Sequence, residues 1–154
     1  MTFRDLQDAL VEEIDSILSE MKTTTADGVE RIGFNGYPQD LPEIYSDEES
    51  PEQFFPYYVV RIDSGKTADD EDCWHVAVDV VLGVHEDGPG GHRHILTAIQ
   101  RIVNRFTETP RMGNFRADQQ MEWATGEGDY SSYQFGAVSL TFSVPKIARR
   151  SAYV

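Results

Sequence analysis

The sequence predicts an α+β fold: a mostly antiparallel sheet with an N-terminal helix and a second helix packed on one face. Three observations carry this. Two segments repeat apolar residues at helical spacing, and others alternate apolar and polar residues with period two. The third is their order: helix, long connector, strand, strand, helix, strand, strand.

The first helix is read from Phe3, Leu6, Leu10, Ile14, Ile17, Leu18 and Met21, which recur at spacings of three and four and so share one face. Thr2 is its expected N-cap, with Asp5 in the third helical position completing a capping box. The helix is expected to end before the β-branched run Thr23-Thr24-Thr25. Residues 27–55 then read as a long connector, since Gly28, Gly33, Gly36, Pro38, Pro42 and Pro51 interrupt any regular element. Phe34, Tyr37, Leu41, Ile44, Tyr45, Phe54 and Phe55 make it too aromatic for a disordered linker, and an ordered excursion pinned by its rings is expected.

Tyr57–Ile62 reads as a strand that Pro56 opens, where a missing N–H is tolerated. Cys73–His85 is the strongest strand. Trp74, Val76, Val78, Val80, Leu82 and Val84 lie on one face, and Cys73, His75, Ala77, Asp79, Val81 and Gly83 on the other. The two form a hairpin whose tip, residues 64–72, is polar and expected to be mobile in the free chain. After Gly88-Pro89-Gly90-Gly91, the residues Ile95, Leu96, Ile99, Ile102, Val103 and Phe106 define a second helix over roughly 92–107. Met112–Trp123 is a weaker strand broken by Gly113, Gly126–Asp129 a turn, and Tyr133–Val144 a strand closed by Pro145.

At 154 residues the chain is one domain, 1–154. Its 27 acidic against 13 basic side chains give a formal net charge of −14. That excludes a nucleic-acid groove reader, which needs a basic face, and disfavours docking on anionic lipid. No run of about 20 apolar residues would span a bilayer, and no secretory signal is read at the N-terminus. A single cysteine, Cys73, fits a reducing cytoplasm. The charge is uneven. The first 72 residues hold 19 acids and five bases, the remainder eight of each.

Chemistry-bearing clusters are sparse. Cys73-x-His75 and His92-x-His94 are pairs without the third and fourth ligands a structural zinc takes. Asp69-Asp70-Glu71-Asp72 lacks the alternating spacing and central glycine of a calcium loop. Gly88-Pro89-Gly90-Gly91 resembles a phosphate cradle, but Pro89 removes a donor and no lysine follows. Nucleophile-elbow, Walker and zincin motifs do not occur. The expectation is no enzyme, no cofactor and no metal. Rings dispersed through loops point instead to an assembly subunit, because aromatic side chains fill interface pockets at low entropy cost. The candidate subunit-interface residues are Lys66, Asp69, Asp70, Glu71 and Asp72 of the hairpin tip, and Arg93, Arg101 and Arg105 on the polar face of the second helix.

Several segments resemble the tail terminator, or tail completion, proteins of long-tailed phages and prophages. The run Phe55-Pro56-Tyr57-Tyr58-Val59-Val60-Arg61 is followed by an acidic loop and then Trp74–Val84. A helix with Ile95 to Phe106 comes next, and Tyr133–Leu140 with Val144-Pro145-Lys146-Ile147 closes the pattern. The resemblance covers about residues 3–147 and rests on apolar, fold-making positions. It implies a homo-oligomeric ring, typically a hexamer, at the head-proximal end of the tail tube. Such a ring stops tube polymerisation and offers the head connector protein a docking surface. DNA would pass its lumen without specific binding, and an acidic lumen suits that passage. The connector 27–55 departs from the family pattern. Two further readings fit the same residues: another neck or tail component, such as a head–tail connector or tail tube subunit, and a small-molecule-binding or enzymatic α+β domain.

The missing ligands around Cys73, His75, His92 and His94 generate a direct test. Thermal melts with and without chelator should coincide, whereas a drop of more than a few degrees would reveal a structural metal, whose binding energy is folding energy.

Overall fold

A computed structural model describes residues 2–24, 28–42, 54–67, 73–86, 90–127 and 133–146. The first helix, α1, spans Phe3–Leu18. Its capping box forms as the sequence predicts. The Asp5 amide donates to Thr2 Oγ1 at 3.0 Å and the Thr2 amide to Asp5 Oδ2 at 2.8 Å. The bonds from Thr2, led by its backbone N–H, hold the Asp5 carboxyl below its ordinary range. Leu6, Leu10, Ile14 and Leu18 are buried, which is the face the spacing predicts.

The connector 27–55, expected to be ordered but without regular elements, holds short strands, and one more precedes it. Three short strands form: β1 (Lys22–Thr24), β2 (Glu30–Ile32) and β3 (Asn35–Pro38). β1 pairs antiparallel with β2 as a separate ribbon. β3 joins the main sheet, parallel to β4 (Tyr57–Lys66). Strands of three or four residues, exposed on most sides, are too short to show a period, which is why the sequence reads as loop. Residues 43–53 of the connector lie outside the described residues. β4 also runs further than its apolar stretch. A bulge between Ile62 and Ser64 absorbs Asp63, after which Ser64, Gly65 and Lys66 still pair with Ala77, Val76 and His75 of β5 (Cys73–His85). Part of the anticipated hairpin tip is therefore strand, and 68–72 lie outside the described residues.

The helix α2 occupies Gly90–Glu108. The weak candidate after it resolves into three pieces: β6 (Arg111–Met112), β7 (Phe115–Ala117) and β8 (Glu122–Glu127). Gly113, at φ +60, makes the β6–β7 turn. β8 reaches Glu127, so Gly126 and Glu127 belong to a strand rather than to the expected turn. The last strand, β9, is Tyr133–Pro145.

The main sheet runs β3-β4-β5-β9-β7-β6, with β8 also beside β9. β7 and β8 share the same flank of β9, at Arg116–Ala117 and Glu122–Glu127 respectively. All pairs but β3–β4 are antiparallel. Both helices cover one face. α1 lies over β3 and β4, and α2 over β9, β5 and β8. The core between joins Leu6, Leu10 and Ile14 of α1, Ile95, Ile99 and Ile102 of α2, and Val78, Val80, Val138 and Leu140 of the sheet. Phe106 meets Phe142 edge to face at 5.4 Å.

Three strand glycines mark where something lies against the sheet backbone. A Cβ on Gly136 would come within 2.6 Å of Ile95 Cγ2 and 3.0 Å of Ile99 Cδ1, so α2 rests on β9 there. Tyr58 and Tyr57, neighbours in β4, use the other two. The Tyr58 ring covers Gly36 of β3, and the Tyr57 ring covers Gly83 of β5 on the opposite face. Tyr58 Oη then donates to the Val11 carbonyl of α1 at 2.7 Å. Burial, reinforced by nearby Asp15, pushes its phenol well above the ordinary range.

Ile99→Ala should lower unfolding free energy by about 2–5 kcal/mol, read from urea denaturation, because Ile99 is almost fully buried. Gly136→Ala, which adds one carbon at the same contact, should also destabilise, by about 1–3 kcal/mol. A neutral result for both would mean that α2 packs elsewhere.

Candidate functional site

Side chains of β4, β5 and β9 alternate, so the face away from the helices carries the opposite residues of each strand. At one end Phe54, Phe55, Tyr57 and Val59 are buried together, with Tyr37, Leu41, Val81, Tyr133 and Phe135 packed against them. Phe55 is the hub, with ring contacts to Tyr57 at 4.9 Å, Tyr133 at 5.4 Å and Phe135 at 6.2 Å. His85 stacks on Tyr133 at 4.2 Å. Connector rings thus pin it to the domain itself. Past this cluster the face turns small and polar. A shallow basin of about 320 Å³ is lined by Asp63, Asp79, Asp118 and Glu122, and Ser139 Oγ donates to Asp79 Oδ1 at 2.7 Å. Cys73 and His75 stand on this face, as alternation predicts. Among the described residues no group of three His, Cys, Asp or Glu is placed to hold a metal ion.

The histidine pair at the start of α2 is split by its surroundings. His92 is exposed, whereas His94 Nδ1 lies 2.8 Å from Glu86 Oε2. Glu86 is nearly buried, and its other oxygen accepts from the Thr24 amide at 2.8 Å. One carboxylate therefore fastens the end of β5, the start of α2 and the β1–β2 ribbon.

The candidate interface residues separate in the same way. Lys66 is exposed at the end of β4, across from His75. Asp69, Asp70, Glu71 and Asp72 lie outside the described residues. Arg93 and Arg101 are exposed on α2. Arg105 is occupied within the chain. Its Nε meets Glu13 Oε1 of α1 at 2.5 Å, Nη1 donates to the Thr109 carbonyl and Nη2 to the Arg111 carbonyl at 3.3 Å. This guanidinium clamps the two helices and closes the C-terminal end of α2, where a cation is also favoured by the helix dipole.

The sequence does not single out the apolar groove on the β8 side of α2. β8 lays Trp123 next to α2, and Leu96, Ile99, Gln100, Val103 and Trp123 line a cleft of about 220 Å³. Trp123 is 56% exposed and Leu96 43%, high for side chains of their size. The one signal available is a tryptophan that directly follows the mostly polar stretch Asp118–Glu122.

The division of labour among the arginines is measurable. Arg105→Gln should lower stability by about 1–2 kcal/mol, since a charge-assisted clamp is lost with Glu13 left unpaired. Arg93→Gln and Arg101→Gln should each stay within about 0.5 kcal/mol of wild type in the same denaturation experiment. Among the described residues no helix is long and apolar enough to cross a membrane. No protein-family model matches the chain, and no curated protein matches it in sequence.

Proposed function

We propose that this chain is a structural subunit of a phage tail: a ring-forming tail terminator that caps the tail tube and joins it to the head connector. The observation that carries the reading is spatial. The segments that resemble the family, scattered along the sequence, form one contiguous unit. Phe55-Pro56-Tyr57-Tyr58 opens β4, which pairs with β5, which pairs with β9, and α2 packs across β5 and β9. The residues of the resemblance are those that the unit needs: Tyr57 and Tyr58 cover glycines, Val78 and Val80 share one buried core with Ile95 and Ile99, and Val144-Pro145 ends the last strand.

In this reading the subunits form a homo-oligomeric ring, a hexamer by the family pattern, at the head-proximal end of the tail. Its protein neighbours are the tail tube and the head connector. The excess of acid keeps DNA moving through without binding, since phosphates and carboxylates repel. The protein does this work by shape and contact, with no reaction to catalyse.

The test is assembly. Purified chain added to polymerising tail tube protein from the same genome should arrest tube growth at a substoichiometric ratio and should decorate one tube end in electron micrographs. Deleting its gene should give tails of irregular, excessive length that fail to join heads. Tubes that grow unchanged, together with normal virions from the deletion, would overturn the reading.

A further inference from the structure

Among the described residues Glu86 is the one buried acid, 5% exposed, and it stands just past the end of β5. Each of its oxygens is committed to a different element. Oε1 accepts from the Thr24 amide of β1 at 2.8 Å, and Oε2 lies 2.8 Å from His94 Nδ1 of α2. The start of α2 closes over the carboxylate, since a Cβ on Gly90 would come within 3.1 Å of Oε2. The strand held by Oε1 belongs to a ribbon of its own: β1 pairs with β2, and among the described residues neither pairs with the main sheet. The ribbon is also imperfectly seated. Thr23, 2% exposed, turns inward, and its hydroxyl meets no hydrogen-bond partner among the described residues.

The protonation state of this carboxylate decides how many elements it can hold. An ionised carboxylate accepts at both oxygens, whereas a protonated one turns an oxygen into a donor. The imidazole gives no relief in acid, because both nitrogens of a protonated histidine are donors. With Glu86 and His94 both protonated, the Thr24 amide and the imidazolium compete for one good acceptor. The charged donor makes the stronger bond, so the amide is displaced. Other titratable groups around the site are engaged or turned away. Lys22 and Glu30 lie 4.0 Å apart across the exposed side of the ribbon, His85 stacks on Tyr133, and Arg31 and His92 are exposed. We infer that the β1–β2 ribbon is an acid-released strap. Glu86 and His94 fasten it at neutral pH, and their protonation frees it while β5, β9 and α2 stay folded. Lifting the ribbon returns the Thr23 hydroxyl to water, which removes an unsatisfied group and favours release. The device is a property of the single chain and holds whether or not the chain forms a ring.

The experiment is amide hydrogen exchange of the whole chain, followed residue by residue by NMR and corrected for the intrinsic pH dependence of exchange. It compares about pH 7 with about pH 3.5, which spans the ordinary ranges of histidine and glutamate. Val78 and Val80, in a strand paired on both sides, report on the folded domain. In the wild type, protection of the Thr24 amide should fall about tenfold or more in acid, the worth of a hydrogen bond to a charged group. Val78 and Val80 should stay protected. The variant His94→Asn tests the selector. Its side-chain amide can donate to the carboxylate at neutral pH and, turned over, accept from the protonated acid, which leaves the other oxygen to Thr24. Thr24 should therefore keep its protection at both pH values in H94N. Three wild-type results overturn the strap: a Thr24 amide unprotected at neutral pH, one equally protected in acid, or one lost together with Val78 and Val80. Acid release in H94N as complete as in the wild type also overturns it, because His94 would then have no part in the choice.

Discussion

Two consecutive tyrosines hold the architecture in register. Tyr57 and Tyr58 point to opposite faces of β4, and each ring lies on a glycine of the neighbouring strand, Gly83 on one side and Gly36 on the other. A strand shifted by one residue would send each ring to the wrong face and set it against a side chain. The pair thus fixes β4 against β5 and β3 at once. Tyr58 also ties α1 to the sheet through the Val11 carbonyl, and Tyr57 joins the cluster around Phe55 that anchors the end of the connector. Helix layer, sheet and connector meet at this one dipeptide.

Charge is arranged around that frame in two ways. Where charged groups are partly sheltered they act as fasteners: Arg105 with Glu13 between the helices, and Glu86 in contact with His94 and the Thr24 amide at the far end. Shelter raises the worth of such contacts, because water competes less for the charges. Where the groups are exposed they contribute little to folding. The outward arginines of α2 and the outward acids of α1 are of that second kind.

The elements legible in the sequence are those long enough to display a period. α1, β5, α2 and β9 each run for 13 residues or more, and their buried faces are the ones the spacing predicts. β2 and β3 escape notice because three or four exposed residues have no period. β4 is under-read because its polar end, Ser64–Lys66, is strand only by virtue of pairing with β5. The candidate surface divides similarly. Arg93 and Arg101 can be placed on a polar helix face from spacing alone. That Arg105 is spent on Glu13 depends on an antiparallel crossing of two helices separated by 92 positions at the contact. The groove at Trp123 depends on β8 lying alongside α2, a relation that no local pattern contains.

β8 is also an unfinished edge. It pairs with β9 on one side, and among the described residues no strand pairs with the other. A free edge is a template for any passing strand, and proteins commonly guard such edges with charge. Here Glu122 sets an exposed carboxylate at the start of the strand. Such a strand must stay apart from unrelated chains during the interval after synthesis. A carboxylate at its start and a formal charge of −14 on the whole chain serve that end, so that colloidal stability draws on charge that the folded core does not use.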